Sequence, residues 1–278
     1  MPVQKRTRLT GGEIGLLGLA VAVGALSFDL NRLHGLDNTT GPSPSQIEKT
    51  AAPKSTLSLE DRADIFMARK SYADAVDYYY RALNQPALAS IDGASIWNKL
   101  GIAYQQQMNF GLARKAYKEA IRLRADFGEP WNNMGTTYYM ENRFGKSVKC
   151  YSHAVKMNPD SPTFHINLGT SYYRMKKYKE AVEEYRTALT LDSNIFSEHA
   201  AGGTVMQTRG ADADFYFYLA KSFALVGRAD EAVRYLRRAF EDGFKDQKRL
   251  AEDPDIKKIS QNPAYVELIK NPPIQIRD

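Results

Sequence analysis

The chain has 278 residues, of which 43% are apolar and 25% are charged. This composition is close to the average of soluble globular proteins, so it argues against wholesale disorder and against a protein with many membrane spans. The formal net charge of +6 is mild for this length and gives no reason of its own to expect a nucleic-acid partner. The single cysteine, Cys150, excludes an internal disulfide framework and any zinc site built from cysteines.

Residues 1–28 have the pattern of an export signal. Basic residues near the start are followed by 15 residues without a charge, from Ile14 to Phe28. That order is typical of a secretory signal, whereas a membrane-spanning helix needs about 20 apolar residues. The pattern is compatible both with cleavage of residues 1–28 and with their retention as a membrane anchor. A buried N-terminal helix is a weaker alternative. The first two interpretations predict an exported protein, either periplasmic or held at the inner membrane through residues 14–28, with the rest of the chain outside the cytoplasm.

Residues 29–56 are predicted to form a flexible linker. From Asp37 to Ser58 the chain is rich in Thr, Ser and Pro and offers almost no apolar side chain for burial. Such a segment cannot build a core and behaves as a partly extended tether. It would let the following domain stand away from a membrane.

The body of the chain, residues 57–243, repeats with a period of 34 residues. Trp97, Trp131 and His165 are 34 residues apart, and each is followed by the same spacing of small and aromatic residues. The matching sets are Leu100, Gly101 and Tyr104; Met134, Gly135 and Tyr138; Leu168, Gly169 and Tyr172; then Ala113, Tyr117 and Ala120; Ser147, Tyr151 and Ala154; Ala181, Tyr185 and Ala188. Weaker copies flank these three, so we predict five repeats, over about 57–90, 94–127, 128–161, 162–195 and 213–246.

This spacing resembles the tetratricopeptide repeat (TPR) family, in which Trp, Leu-Gly, Tyr, Ala, Phe or Tyr, and Ala recur at fixed positions. The resemblance implies an all-α fold: a right-handed superhelical solenoid of antiparallel helix pairs, each made of a helix A and a helix B. Small residues where A and B meet let the helices approach closely, and aromatic residues fill the space around that contact. Because one pair cannot bury its apolar face alone, neighbouring pairs must stack.

Two segments fall outside the period. Residues 196–212 form an insert between the fourth and fifth repeats, and we expect it to contribute to, or gate, a partner surface, because long loops in compact domains are usually functional or disordered. Residues 244–278 are predicted to be a cap of short helices that covers the fifth repeat. These helices are expected after Asp246, Asp253 and Asn262, the last two with proline at the first helical position.

No residue pattern in the sequence predicts catalysis or cofactor binding. The four histidines are spaced too widely for a metal motif, and neither a phosphate-binding glycine loop nor a nucleophile elbow is present. His165 takes the place that tryptophan holds in two other repeats, so it is predicted to pack between repeats. Cys150 is expected to be a free surface or half-buried thiol. We therefore predict a protein that is not an enzyme and that holds neither metal nor cofactor.

The surface left for function is the groove lined by the A helices, which the TPR resemblance implies as the binding face. The predicted peptide-binding residues are Lys99, Gln105, Asn133, Thr136, Tyr139, Asn167, Thr170, Tyr173 and Arg174. Asn133 and Asn167 are expected to present their amides in a row to an extended peptide. The expected function is a protein–protein interaction scaffold of the cell envelope with an unidentified protein or peptide partner. The alternative is a carbohydrate-binding or enzyme-accessory subunit of the periplasm.

Positive charge is concentrated between Arg114 and Asn158, a stretch with nine basic and four acidic residues. Most of these basic residues fall on B helices. These basic residues are explained by a helix face that contacts solvent. The alternative is that they bind an acidic partner, or anionic lipid near the linker. Nucleic acid is not expected as a partner, because no base-reading element accompanies the charges.

Overall fold

The computed structural model describes residues 57–85, 90–196 and 212–275. The segments predicted as an export signal (1–28) and a linker (29–56), and residues 197–211 of the insert, lie outside the described residues. The described residues form α-helices and one short 3₁₀ helix, with no β-strand among them. Of the helices in this part of the chain, none combines the length and the apolar character that a bilayer crossing requires.

Ten helices follow one another in antiparallel pairs. In chain order the pairs are α1 (Leu59–Ala68) and α2 (Tyr72–Leu83), α3 (Ser90–Gln106) and α4 (Phe110–Leu123), α5 (Gly128–Met140) and α6 (Phe144–Met157), α7 (Pro162–Arg174) and α8 (Tyr178–Leu191), and α9 (Ala213–Leu225) and α10 (Ala229–Glu241). We call the two helices of a pair A and B and number the pairs as repeats one to five. Each B helix also packs against the A helix of the next pair. This arrangement confirms the predicted all-α solenoid.

A glycine of helix A and a tyrosine of helix B set the closest approach within the three central pairs. A Cβ atom added to Gly135 would lie 2.7 Å from the ring of Tyr151. The corresponding distances are 2.4 Å between Gly101 and Tyr117, and 2.7 Å between Gly169 and Tyr185. Carbon atoms in contact normally stay about 3.5–4.0 Å apart, so only glycine fits at these positions. The predicted role of the small residues is confirmed.

The chain reverses between helix A and helix B through a residue with positive φ in each of the five pairs. These residues are Lys70, Met108, Asn142, Lys176 and Gly227, with φ of 60°, 60°, 57°, 59° and 78°. In repeat two, the N–H of Asn109 donates to the carbonyl of Tyr104 at 2.9 Å. The N–H of Met108 donates to the carbonyl of Gln105, also at 2.9 Å, which completes a Schellman motif. A left-handed conformation is costly for residues other than glycine and asparagine, so the turns at Lys70, Met108 and Lys176 are held by bonds of this kind and not by residue type.

The apolar core is divided into two clusters. One lies in repeats one to three and includes Tyr79 and Leu100, and the other lies in repeats four and five and includes Phe217. Where repeats three and four meet, many buried side chains are polar, and we call this contact the polar junction. Its buried polar side chains are Asn132, Asn133, Thr136, Thr137, Ser147, His165, Asn167, Thr170 and Ser171. The hydroxyl of Ser147 donates to that of Ser171 at 2.9 Å, so α6 and α7 are joined by a directional bond as well as by apolar contacts.

Short helices cover the free side of repeat five, as predicted for the cap. The first, α11 (Gln247–Glu252), begins after Asp246, whose carboxylate accepts from the N–H of Arg249 at 2.9 Å. The last, α12 (Pro263–Lys270), begins after Asn262, whose side-chain oxygen caps the first turn. Buried apolar side chains of the cap, including Ile256 and Leu268, join the second apolar cluster. The cap therefore closes the open end of the solenoid.

The helix predicted after Asp253 is instead a short 3₁₀ turn over Ile256–Ile259. The carboxylate of Asp253 accepts from the N–H groups of Asp255 and Ile256 at 3.0 and 3.2 Å. It also lies 2.7 Å from the ammonium of Lys221 on α9. A carboxylate that holds the turn and binds α9 keeps this segment flat against repeat five, so a regular helix does not develop.

Candidate interaction surface

Most of the nine predicted groove residues lie inside the molecule. The buried ones are Gln105, Asn133, Thr136, Asn167 and Thr170, the partly buried ones are Lys99, Tyr139 and Tyr173, and Arg174 is exposed. None of the five buried side chains exceeds 5% exposure. The prediction that all nine line an accessible groove is therefore wrong for these five, whereas peptide binding itself stays a prediction.

Three of the buried residues are hydrogen-bond partners of the core tyrosines. Tyr117 donates to Gln105 at 2.9 Å, Tyr151 pairs with Thr136 at 3.0 Å, and Tyr185 donates to Thr170 at 3.3 Å. Each tyrosine packs its ring on the glycine of helix A, and its hydroxyl needs a partner because it is buried. Burial raises the pKa of all three phenols well above the ordinary value, so they stay protonated. These polar residues therefore complete the core instead of facing a ligand.

The other two buried residues belong to a chain of four asparagines, which we call the amide chain. The side-chain amide of Asn133 donates to Asn98 at 3.1 Å, and that of Asn132 donates to Asn133 at 3.4 Å. The amide of Asn167 donates to Asn132 at 2.8 Å. The chain runs across α3, α5 and α7 and ties three A helices together. The expectation that Asn133 and Asn167 present free amides to a peptide is wrong, because buried amides bind one another where water is excluded.

Lys99 is held by two carboxylates of the first repeat. Its ammonium lies 2.8 Å from Glu60 and 2.6 Å from Asp64, and the hydroxyl of Tyr79 also donates to Asp64, at 2.5 Å. Burial by itself would lower the pKa of Lys99, but the hydrogen bonds to Asp64 and Glu60 outweigh it and raise the pKa. Lys99 therefore joins α3 to α1, and an acidic partner would have to compete with both carboxylates.

Tyr139, Phe144 and Arg174 form a group at the molecular surface between repeats three and four. The rings of Tyr139 and Phe144 meet edge to face with centroids 5.3 Å apart, and the guanidinium of Arg174 lies 4.8 Å from the centre of the Phe144 ring. Burial raises the pKa of Tyr139, and the charge and hydrogen bond of Arg174 oppose that shift. Sequence reasoning missed Phe144 because it searched only the A helices.

Tyr173 is bound to the fifth repeat. Its hydroxyl donates to the carboxylate of Asp212, and its ring lies 5.4 Å from that of Phe215. Burial, followed by the hydrogen bond to Asp212, raises the pKa of Tyr173 far above its ordinary value. These contacts place the beginning of α9 against the end of α7. The insert thus rejoins the repeats beside a predicted groove residue, although its own residues 197–211 lie outside the described part of the chain.

A cavity of about 650 Å³ opens between the A–B turn of repeat three and the end of α7. Its lining residues are Asn142, Arg143, Phe144, Gly145, Lys146, Lys149, Arg174 and Met175. We call it the basic cavity, because the lining has four cationic side chains and no carboxylate. Three of the cations belong to the positively charged stretch noted in the sequence, and Arg174 joins them from the next repeat. The sequence predicted the charges but not this assembly.

His165 packs at the contact between repeats, as predicted, and both its ring nitrogens are hydrogen-bonded. Nδ1 lies 2.6 Å from a carboxylate oxygen of Glu184, and Nε2 lies 2.8 Å from the carbonyl oxygen of Pro159. The hydrogen bond to Glu184 raises the pKa of His165 in spite of burial, and the carbonyl of Pro159 and the charge of Asp160 add to the shift. Two acceptors around one ring favour the doubly protonated imidazolium.

Cys150 and His153 are not placed for catalysis. Cys150 is buried, whereas a surface or half-buried thiol was expected, and burial raises the pKa of its thiol to about 11 although Arg114 and Lys118 oppose this. Such a thiol is protonated near neutral pH and is a poor nucleophile. His153 is exposed and stacks on Trp131 with ring centroids 4.4 Å apart. Within residues 57–85, 90–196 and 212–275, no cluster of three or more His, Cys, Asp or Glu side chains is suited to a metal ion.

Comparison with known families identifies the repeats. A family model described as TPR repeat matches residues 137–176, and two described as tetratricopeptide repeat match residues 94–127 and 162–195. The chain contains tetratricopeptide repeats. Arrays of TPR units form solenoids whose extended surfaces bind other proteins. This TPR chain is therefore a protein–protein interaction scaffold.

Solved structures of MamA are similar to this TPR chain at low identity. A crystal structure of MamA is 18% identical, with a TM-score of 0.46, and the match covers 65% of this chain and 93% of that one. A MamA structure from Desulfovibrio magneticus RS-1 is 13% identical, with a TM-score of 0.47, over 66% of this chain and 92% of that one. No curated protein sequence matches this chain. These likenesses are too distant to transfer residue roles.

Proposed function

We propose that this TPR chain is a non-enzymatic scaffold that holds a protein or peptide partner on the face of its A helices. The observation that supports the proposal is the accessible group of Tyr139, Phe144 and Arg174. Aromatic and arginine side chains contribute most of the binding energy at protein interfaces. The side chains beneath this group are buried and hydrogen-bonded to one another, so little freedom is lost when a partner binds.

The buried members of the predicted groove have a supporting role in this proposal. The amide chain and the tyrosine hydroxyl bonds occupy their polar atoms, so direct contacts with the partner come from Tyr139, Tyr173 and Arg174. Exposed residues at the ends of A helices extend the surface: Gln106 is the last residue of α3, and Met175 follows α7 directly. The partner therefore binds to a preformed face and does not separate the A helices.

Photo-crosslinking tests the location of the partner. A photo-reactive amino acid is introduced at Gln106 or Met175 near the ends of A helices, and at Arg122 or Arg186 on B helices as matched exposed controls. After irradiation of intact cells, crosslinked proteins are identified by mass spectrometry. The proposal expects one protein to be captured from both A-helix positions and not from the controls. Equal capture from all four positions would refute it.

We also propose that the scaffold works in the cell envelope, outside the cytoplasm. The basic start and the uncharged stretch Ile14–Phe28 support export, and the Ser-, Thr- and Pro-rich residues that follow are suited to a tether. Fractionation of cells tests this proposal. Recovery with soluble periplasm indicates a cleaved signal, recovery with inner membranes indicates an anchor, and recovery only with cytosol would contradict export.

A further inference from the structure

We infer that the basic cavity binds an acidic segment of the partner protein. This inference rests on the proposed scaffold function and names the chemistry of the partner. The cavity adjoins the accessible group, because Phe144 and Arg174 belong to both. A partner lying on the A helices of repeats three and four would therefore pass over the cavity.

The four cations of the basic cavity are poorly neutralised by the protein itself. Glu141 lies 3.3 Å from Arg143, but the same carboxylate lies 3.1 Å from Arg114. Among the described residues, no carboxylate forms an ion pair with Lys146, Lys149 or Arg174, the other three cations of the lining. Their charge is therefore available to a carboxylate from outside, and a cluster of like charges favours such a ligand.

Aromatic rings hold most of these cations in place. Arg143 and Lys146 lie 5.2 and 5.6 Å from the centre of the Tyr138 ring, and Arg174 lies 4.8 Å from that of Phe144. Cation–π contacts of this kind restrict long side chains that would otherwise sample many rotamers. A bound carboxylate consequently has less side-chain disorder to overcome than on an ordinary surface with lysines and arginines.

The cavity is particular to the contact between repeats three and four. One repeat earlier, Asn109, Leu112 and Met140 stand where Arg143, Lys146 and Arg174 line the cavity, and only Lys149 has a cationic counterpart, Lys115. One repeat later, Glu180 and Glu183 take the positions of Lys146 and Lys149. The architecture of a TPR array does not require cations at these places, so their presence at one contact points to a local ligand.

The shape and lining of the cavity fit a short acidic peptide better than a membrane or a nucleic acid. The cavity of about 650 Å³ is broadly open to solvent and leaves room for a few side chains of an extended segment. Phe144 and Met175 add apolar surface, and Met175 is 38% exposed. A membrane would favour cations spread over a broad face, and a nucleic acid would favour cations that follow its backbone. An acidic peptide with one apolar side chain between its carboxylates matches a lining that combines cations with apolar surface.

Fluorescence anisotropy with the full chain tests the inference. The probe is a labelled short peptide of Asp and Glu around one central Leu, and the control peptide has Asn and Gln instead. One variant combines Lys146→Gln, Lys149→Gln and Arg174→Gln. A charge-matched control combines Lys115→Gln, Arg237→Gln and Lys257→Gln, all at exposed positions. Thermal melting followed by circular dichroism establishes that both variants fold.

The inference expects the acidic probe to bind, the amide probe to bind far more weakly, and the cavity variant to bind the acidic probe about tenfold less tightly. The control variant should bind within about twofold of the unmodified chain, because it loses the same net charge elsewhere. Equal losses in both variants would reduce the effect to net charge and overturn the inference. Preference for phosphatidylserine-containing vesicles or for a DNA duplex, with the same dependence on the cavity cations, would overturn it as well.

The two proposals fail in different ways. If crosslinking from Gln106 and Met175 captures no specific protein, the scaffold function proposed for the A-helix face fails. If it captures one protein equally from the unmodified chain and from a variant with only Lys146→Gln and Lys149→Gln, which keeps Arg174, and the acidic probe does not distinguish these two chains, only the inference about the cavity fails.

Discussion

The substitution Gly135→Ala should destabilise the protein although alanine favours helices. The added Cβ would lie 2.7 Å from Cε1 and 2.8 Å from Cδ1 of Tyr151, so the ring would have to retreat by about 0.8 Å to reach an ordinary contact. Tyr151 is fully buried, and its hydroxyl is held 3.0 Å from that of Thr136, so the ring has no free direction of movement. Overpacking of this kind costs about 1–3 kcal/mol, against a gain in helix propensity of up to about 1 kcal/mol.

The matched control for this prediction is Gly145→Ala. No atom lies within 4 Å of a Cβ built on Gly145, which also lies in a helix. Because the chemical change is the same, the difference between the two variants isolates the steric cost against Tyr151. Urea unfolding followed by circular dichroism should place Gly135→Ala about 1–3 kcal/mol below Gly145→Ala in free energy of unfolding. Equal stability of the two variants would refute the packing assigned to the central repeats.

Three further predictions concern single side chains. The hydrogen bond to Glu184 raises the pKa of His165 in the folded state, so protonated His165 stabilises the fold. This contribution to stability is fully present below the unfolded pKa of about 6.5 and is lost as the pH rises through the folded pKa. The melting temperature of the unmodified chain should fall over that interval, whereas that of Glu184→Gln should change less; parallel curves would contradict the assignment. Lys176→Gly should raise the free energy of unfolding by about 1 kcal/mol, because Lys176 has a φ of 59°, whereas Arg186→Gly, at an exposed position inside α8, should lower it by about as much. Cys150 should resist alkylation by iodoacetamide at mildly alkaline pH and react rapidly in denaturant, since burial raises its pKa to about 11; rapid labelling of the folded chain would contradict its burial.

The helix pairs could be predicted because their packing depends on residue types that recur at a fixed spacing. Gly135 and Tyr151 lie on helices of one pair, and their contact needs only a small residue opposite a large one. That requirement appears directly in the sequence as period-34 positions. The all-α fold, the stacked pairs and the closing role of the cap follow from the same local pattern.

The accessibility of the candidate site could not be predicted in the same way. Asparagine is usually a surface residue, and the burial of Asn133 depends on Asn98, which reaches it only when two repeats stack. The basic cavity likewise requires Arg174 to approach Lys146 from the next repeat. Three of the five A–B turns gave no signal either, since a residue such as Lys176 at positive φ is stabilised by backbone bonds and not by its side chain.

The amide chain also governs the pitch of the solenoid. Apolar contacts tolerate sliding between neighbouring helices, whereas the bonds of Asn133 to Asn98 and of Asn167 to Asn132 are directional and tolerate little rotation. Repeats two to four should therefore form a rigid unit, and the curvature of the solenoid is set before a partner binds. Lys146 and Arg174 come from different repeats, so this rigid unit also fixes the distance between their charges. The array would select partners whose carboxylates have the matching spacing.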